Sequence, residues 1–338
     1  MAVTMRDVAK RAGVSVKTVS NVVSGEYPYI RPETRARVVE AIEDLGYRLN
    51  VSARQMRTNR TDVIGLALPE LRLQYFAELA DEVIRAAAEE GLRVVIEQVE
   101  HVEHVAVDHM IGTGAHLLDG AIVAPTSQAD VAPESAPRGF PIVVLGDRRI
   151  GDDVDQVYLA NATGARLAVN HLLDVGCRRI VALGGMPGET TGNAGERTAG
   201  YADALAARGV DVDPDLVVPT SAWTMAAGAQ SLSAILERGT TFDGVFAFSD
   251  SIAIGALGAL AQAGVRVPDD VAVVGFDDID DAAHAVPPLT SVAVDRARTA
   301  HEAVRLLVRR LRADTPPPTS AVEIGATLVV RASSTRSA

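Results

Sequence analysis

The sequence predicts a small all-α helix-turn-helix head joined to a larger α/β body. Three observations carry that prediction. Two short helical patterns meet around Gly13 near the start of the chain. Beyond residue 60, apolar strand-like runs alternate with helical runs through most of the chain. Charge divides along the same line. Residues 1–60 hold eleven Lys or Arg against six Asp or Glu, a net of +5, whereas the whole chain carries −12 and the remainder therefore −17. A basic head on an acidic body is the electrostatic footprint of a phosphate-binding module.

The first helix begins at Thr4, with Asp7 three residues on in a capping-box-like start. Met5, Val8, Ala9 and Ala12 fall on one helical face, and Gly13 permits a tight turn. Ser15 then caps a second short helix whose Val19, Val22 and Val23 face inward. Two short helices joined around a Gly form a helix-turn-helix, in which the second helix enters the major groove by its N-terminal residues. Those residues are Val16, Lys17, Thr18, Ser20 and Asn21. Lys17 can donate to guanine, Asn21 can pair with adenine, and the Val16 methyls can touch thymine. Pro32 opens a third helix to about Leu45, with Val38, Val39, Ile42 and Leu45 expected to close the core. A short basic segment, Gly46 to Arg57, follows.

At 338 residues the chain is too long for one ordinary core, so two or three domains are expected. The lone Cys177 excludes an internal disulfide, fits a reducing cytosol and reads as a small buried hydrophobe. The start runs directly into a charged helix, so no signal peptide is expected, and no apolar run approaches the ~18 residues of a membrane span. A soluble, cytoplasmic protein is expected.

In the body, strands are predicted at Val63–Leu68, Arg93–Val99, Gly120–Ala124, Ile142–Leu145, Arg179–Leu183, Leu216–Val218, Gly244–Phe248 and Val271–Gly275. Helices are predicted at Tyr75–Glu90, in a stretch leading to Leu118, and at Asn161–Val175, Glu196–Arg208, Met225–Arg238 and Ser251–Ala263. Such alternation means parallel sheets covered on both faces, and so many units imply two α/β subdomains, each a doubly wound parallel sheet. Ligands in these sheets bind beyond the carboxyl ends of the strands. The residues that follow the strands include Thr126, Arg148, Arg197, Ser249, Asp250 and Asp277, whose hydroxyl, carboxylate and guanidinium groups suit a polyol.

The order Asp7-Val8-Ala9, Ala12-Gly13-Val14-Ser15, Thr18-Val19-Ser20, Gly46-Tyr47, Asn50 and Ala53-Arg54 resembles the LacI/GalR family of bacterial transcription regulators. The resemblance extends through Ser249-Asp250 with Ala253-Ile254-Gly255-Ala256, Val271–Asp278, Pro288–Val292 and Leu328–Arg331 with Ser333-Ser334-Thr335. It implies a body like periplasmic sugar-binding proteins, with two subdomains, three chain crossings and an effector in the cleft. The implied division is a head at 1–48, a hinge helix and linker at 49–60, one subdomain at 61–175 with 293–321, and another at 176–292 with 322–338. Thr4, Tyr47, Asn50, Ala53, Arg54, Met56 and Arg57 join Ser15 and the second-helix residues as expected DNA contacts. Met56, where the family usually has Leu, would wedge into the minor groove. Leu49 replaces the usual Pro, and Arg31 stands where Ser or Asp commonly caps. In the cleft the resemblance assigns Arg197, Asp277, Trp223, Ser249, Tyr75 and Phe76 to the effector. A structural ion pair is the alternative for Arg197 and Asp277, and core packing for Trp223.

His101, His104 and His109 crowd one stretch but read as a polar surface helix, and no metal or cofactor is expected. No Walker A, G-x-S-x-G or H-E-x-x-H pattern occurs, so an enzyme is not expected. The expected function is a repressor of carbohydrate-uptake or catabolic genes that binds a palindromic operator DNA as a homodimer and responds to a sugar effector. No Leu-heptad tail follows Arg331, which favours the dimer. The rival readings are a sugar-binding protein with an unrelated helical appendage and, more remotely, an enzyme.

Overall fold

The computed structural model describes residues 3–24, 30–47, 60–98, 117–124, 140–146, 154–186, 188–189 and 191–335. Expectations at Asn50, Ala53, Arg54, Met56, Arg57, Thr126 and Arg148, at the three histidines between 101 and 109, and for the helical stretch before Leu118 lie outside the described residues. The chain divides into two compact units, Met1–Thr61 and Asp62–Ala338.

In the first unit, helices α1 (Met5–Ala12), α2 (Val16–Ser24) and α3 (Pro32–Leu45) follow the predicted pattern. Thr4 donates from its backbone N–H and its hydroxyl to the Asp7 carboxylate, at 2.9 and 2.7 Å, and fixes the start of α1. Gly13, at φ 65°, supplies the left-handed residue that ends it. Ser15 Oγ accepts from the Thr18 N–H at 3.0 Å and caps α2. The core is built from Val8, Ala9, Ala12, Val19, Val22, Val38, Ala41 and Tyr47. Val39 departs from expectation and is 40 % exposed. The inward stripe of α3 runs through 38, 41, 42 and 45, the spacing of one helical face, and position 39 sits one residue off it.

The second unit holds two sheets of six described strands each. The first orders β11 (Ala321–Ile324), β5 (Asp155–Leu159), β4 (Ile142–Leu145), β3 (Gly120–Val123), β1 (Val63–Leu68) and β2 (Arg93–Gln98), all parallel. The second orders β12 (Ala326–Val329), β10 (Thr290–Val294), β9 (Ala272–Asp277), β8 (Gly244–Ala247), β6 (Ile180–Leu183) and β7 (Val217–Val218). Only the β10–β12 pair is antiparallel among these. The chain crosses between sheets three times: after β5, after β10 and between β11 and β12.

Helices α4 (Gln74–Glu89) and α10 (Arg296–Arg312) pack on each other, and α10 also covers strands of the first sheet. Helix α5 (Asn161–Asp174) packs on strands of the second sheet and on α6 (Gly192–Ala207). Helices α7 (Met225–Glu237) and α8 (Asp250–Gln262) pack together on that same sheet, and the short α9 (Asp280–His284) follows β9. Sheet membership therefore changes after 159, after 294 and after 324, and the division that the resemblance implies has its bounds at 175, 292 and 321. Asp155, buried at the start of β5, draws the first sheet and α10 together. It accepts from Arg309 at 3.0 Å, from the Ser320 N–H at 2.7 Å and from Arg310.

The α5–α6 contact depends on one close approach. A Cβ on Gly200 would stand 2.3 Å from the Ala162 carbonyl oxygen and 2.8 Å from Ala165 Cβ. Gly200→Ala must force α6 away from α5. It is expected to cost about 1–3 kcal/mol, the usual range for overpacking. Urea unfolding of the full chain checks this, and an unchanged midpoint would show that the helices yield without strain.

Candidate functional site

On the head, Val16 is 41 % exposed at the start of α2, an uncommon place for a bare aliphatic side chain. Lys17 is exposed beside it, and Thr18, Ser20 and Asn21 are partly so. These five share the N-terminal part of the helix that the motif presents to DNA. Ser15 and Thr4 are exposed as well, but their hydroxyls serve the helix starts: Ser15 and Thr18 share a 2.8 Å hydrogen bond, and Thr4 is bound to Asp7. Tyr47 is placed differently from expectation, because it is 9 % exposed and belongs to the head's core. The cause is the helix ending. Gly46 adopts φ 59°, its N–H bonds to the Glu43 carbonyl, and the Tyr47 N–H bonds to the Ile42 carbonyl at 3.0 Å. That Schellman arrangement folds the next apolar residue back onto the helix.

In the body, three of the expected residues, Arg197, Trp223 and Asp277, come together near the carboxyl ends of strands of the second sheet. Arg197 is 1 % exposed, although it carries a permanent charge. Its Nε donates to Asn161 Oδ1 at 2.7 Å, one Nη donates to the Phe248 carbonyl, and the other stands 3.7 Å from Asp277 Oδ1. The guanidinium lies 3.5 Å from the Phe276 ring centroid and 5.1 Å from that of Trp223. A planar cation stacked on aromatic faces is a favourable way to bury that charge. The alternatives of ion pair and effector residue therefore meet in one place. Arg197 and Asp277 are paired, and Trp223, half-buried, faces the guanidinium.

Asp277 ends β9 with φ 110°, and Asp278 follows with φ 52°; side chains rarely adopt either. Burial pushes the Asp277 carboxyl up to about 7, opposed by Arg197 and Arg296 and reinforced by Glu78. Asp250 differs although it too was expected at the effector. It is fully buried, Oδ1 accepts from the Ser291 hydroxyl at 2.6 Å, and Oδ2 accepts from the Ile279 N–H at 2.9 Å. Burial, and next the charge of Asp277, hold its carboxyl well above the usual range. Asp250 is thus a strut beneath the β9 turn. Ser249, also buried, caps α8 by accepting from the Ile252 N–H at 3.2 Å. Tyr75 and Phe76 open α4 as a half-buried edge-to-face pair, 5.2 Å between centroids.

Four residues outside the expected set belong here: Asn161, Phe276, Glu78 and Arg296. Phe276 follows the predicted strand Val271–Gly275, the position that singled out others, and could have been read that way; Asn161 follows β5, which the sequence does not predict, and so lacks that signal. Glu78 and Arg296 carry no such signal.

The chain resembles known proteins over nearly its whole length. Residues 4–50 match the family described as bacterial regulatory proteins, lacI family, and residues 169–334 match the periplasmic binding protein-like domain. The HTH-type transcriptional regulator AscG of Escherichia coli (strain K12) is 35 % identical over 93 % of this chain and 94 % of its own length. A solved complex of the transcriptional regulator CelR with cellobiose is 33 % identical, covers 98 % of this chain and 99 % of its own, and has a TM-score of 0.72. The Lac repressor dimer bound to operator and the anti-inducer ONPF is 27 % identical, covers 98 % and 99 %, and has a TM-score of 0.81.

The raised Asp277 carboxyl makes a pH prediction. The folded state holds a proton to about 7, whereas the ordinary value is 3.8. Between those values the folded state binds more protons than the unfolded one, so this group makes stability fall as pH rises. Asp250 acts in the same direction. Asp277→Asn removes one of the two contributions, so its unfolding free energy should fall less steeply across that window. Chemical denaturation at stepped pH reads the slope, and equal slopes in the two proteins would contradict the assignment.

Proposed function

Because the chain belongs to the LacI family of bacterial regulatory proteins, and so is a DNA-binding transcription regulator with a sugar-binding-like body, we propose that it represses carbohydrate-uptake or catabolic genes under the control of a neutral sugar. The head reads each half of a palindromic operator through Val16, Lys17, Thr18, Ser20 and Asn21, and residues 49–60 form the hinge. Two chains pair, so that protein symmetry matches operator symmetry. Exposed Leu71, Ile84 and Val95, around α4 and the edge strand β2, support an apolar pairing face on the first sheet's side.

The observation that carries the effector reading is the buried Arg197, paired with Asp277 and facing Trp223 at the ends of the strands. A guanidinium and a carboxylate side by side offer donors and acceptors to adjacent hydroxyls, and an aromatic face suits the apolar side of a sugar ring. Among the described residues, two guanidiniums, Arg197 and Arg296, meet two carboxylates, Asp277 and Glu78. With Asp277 ionised, that balance favours an uncharged ligand over a phosphorylated one. The sugar binds one arrangement of the two sheets better than the other, and operator affinity changes by linkage.

Selection of the full chain against a randomised DNA pool tests this reading. Enrichment of a palindrome is expected, and a pool without one would overturn it. The enriched duplex then serves to screen cellobiose, ribose and their phosphates for an effect on operator affinity. Lys17→Ala should weaken the selected duplex by about 1–3 kcal/mol while relaxing preference at one base pair of each half-site. An equal loss on all sequences would make Lys17 a phosphate contact instead. Ile84→Glu should shift the chain toward monomer in sedimentation at micromolar concentration, and an unchanged dimer would move the pairing face elsewhere.

A further inference from the structure

The turn after β9 is held from two sides. On its own sheet's side, the Asp278 carboxylate pairs with Arg331 at 2.7 Å, the Asp278 N–H donates to Ser291 Oγ at 3.1 Å, and the Ile279 N–H donates to Asp250. Gly275 lets Asp250 pass beneath, since a Cβ there would stand 2.1 Å from its Oδ1. On the other side, the backbone is gripped by two residues of the helices that cover the first sheet. Arg296, the first residue of α10, donates to the carbonyls of Asp277 and Asp278, the latter at 2.9 Å. Glu78, one turn into α4, accepts from the Asp280 N–H at 3.0 Å and pairs with Arg296 at 2.8 Å. The positive φ values of Asp277 and Asp278 belong to the backbone whose carbonyls meet that guanidinium.

We propose that Glu78 and Arg296 are positioning residues that clamp the 277–280 backbone to the first sheet's helices, so that the effector residue Asp277 and the spacing of the two sheets are set together. The inference rests on the regulator reading for its effect on DNA, but the clamp itself does not. Both residues act through backbone atoms. Their role is therefore not that of a plain ion pair, in which either partner could carry either charge. Arg296 supplies donors in a fixed fork to two carbonyls, which a carboxylate cannot do, and Glu78 supplies the acceptor for an amide, which a guanidinium cannot do.

The test uses the full chain in sugar-free buffer, with Glu78→Leu, Arg296→Leu, the double variant, the charge-swapped pair Glu78→Arg with Arg296→Glu, and Arg266→Gln as a remote control on an exposed ion pair. Two readouts are taken: hydrogen exchange across residues 276–284, and affinity for the duplex that the wild-type chain selects. The clamp predicts exchange about tenfold faster in either leucine variant, the loss of a charge-assisted hydrogen bond. It also predicts operator affinity shifted in one common direction, also by about tenfold, with the double variant no further shifted than either single one. The swapped pair should behave like the leucine variants. Restoration by the swap, or exchange within roughly twofold of the Arg266→Gln control, would overturn the proposal. If the wild-type chain selects no duplex, the regulator reading fails by itself, and the exchange data still decide whether the clamp exists. Faster exchange with unmoved operator affinity would overturn the coupling half of the proposal.

Discussion

One buried guanidinium gathers the strand ends of the second sheet around the first crossing point at Asn161. Arg197 cannot lose its charge, so its burial is tolerable only if each edge finds an acceptor and each face a polarisable surface. The chain meets that demand with parts from distant places: a side-chain amide at the start of α5, a carbonyl after β8, a carboxylate at the end of β9 and two aromatic rings. Each supplier sits at the carboxyl end of a strand or just beyond it. The demand of a single side chain therefore fixes where several strand ends must meet. It also explains why α6, which carries Arg197, must approach α5 closely enough for Gly200 to be needed.

The same geometry separates two carboxylates that the sequence treats alike. Asp250 and Asp277 are both buried, and burial raises both. Asp250 has internal donors on both oxygens and no described cation against it, so it is a fixed strut. Asp277 stands beside Arg197 with Arg296 near, which lowers the cost of its charge. It is the one of the two whose ionisation and contacts can answer to a ligand. The difference arises from neighbours that come from other elements, and spacing within the Ser249-Asp250 and Asp277-Asp278 pairs does not express it.

That contrast also marks what could be read in advance. The head was legible because its signals are local: Thr4 with Asp7, Gly13 and Ser15 act within a few residues of themselves. The apolar strands and the placing of Arg197 and Asp277 were legible for a related reason, since strand ends are where such sheets bring side chains together, whereas Trp223 was assigned through the family resemblance alone. Strand Asp155–Leu159 was missed because it opens on a carboxylate, which is acceptable inside only because Arg309 and Arg310 arrive from far along the chain. Helix α6 begins at Gly192, before the predicted Glu196, because two early glycines hide the turn that Thr191 starts. Tyr47 turned inward through a backbone motif. Ser249 was spent on a cap. Glu78 and Arg296 grip peptide groups, which every residue carries, so no pattern of side chains could disclose their target.

The scale of these contacts bears on how such a molecule can switch. Coupling between two ligands is typically about 1–3 kcal/mol. A hydrophobic core shared by the two sheets is far too strong to be the adjustable part, because its loss would unfold the unit rather than bias it. A hydrogen bond to a charged group contributes about 1.5–3 kcal/mol. The handful of such bonds at the 277–280 turn is thus matched in size to the coupling required, provided they are made in one arrangement and altered in the other. The turn also has the right attachments. It is fixed to the second sheet's half through the Asp278 carboxylate on Arg331 and the Ile279 N–H on Asp250, and others of its peptide groups are held by helices over the first sheet. A ligand that pulls on the Asp277 carboxylate acts on the element that both halves share, and it need not disturb the core of either.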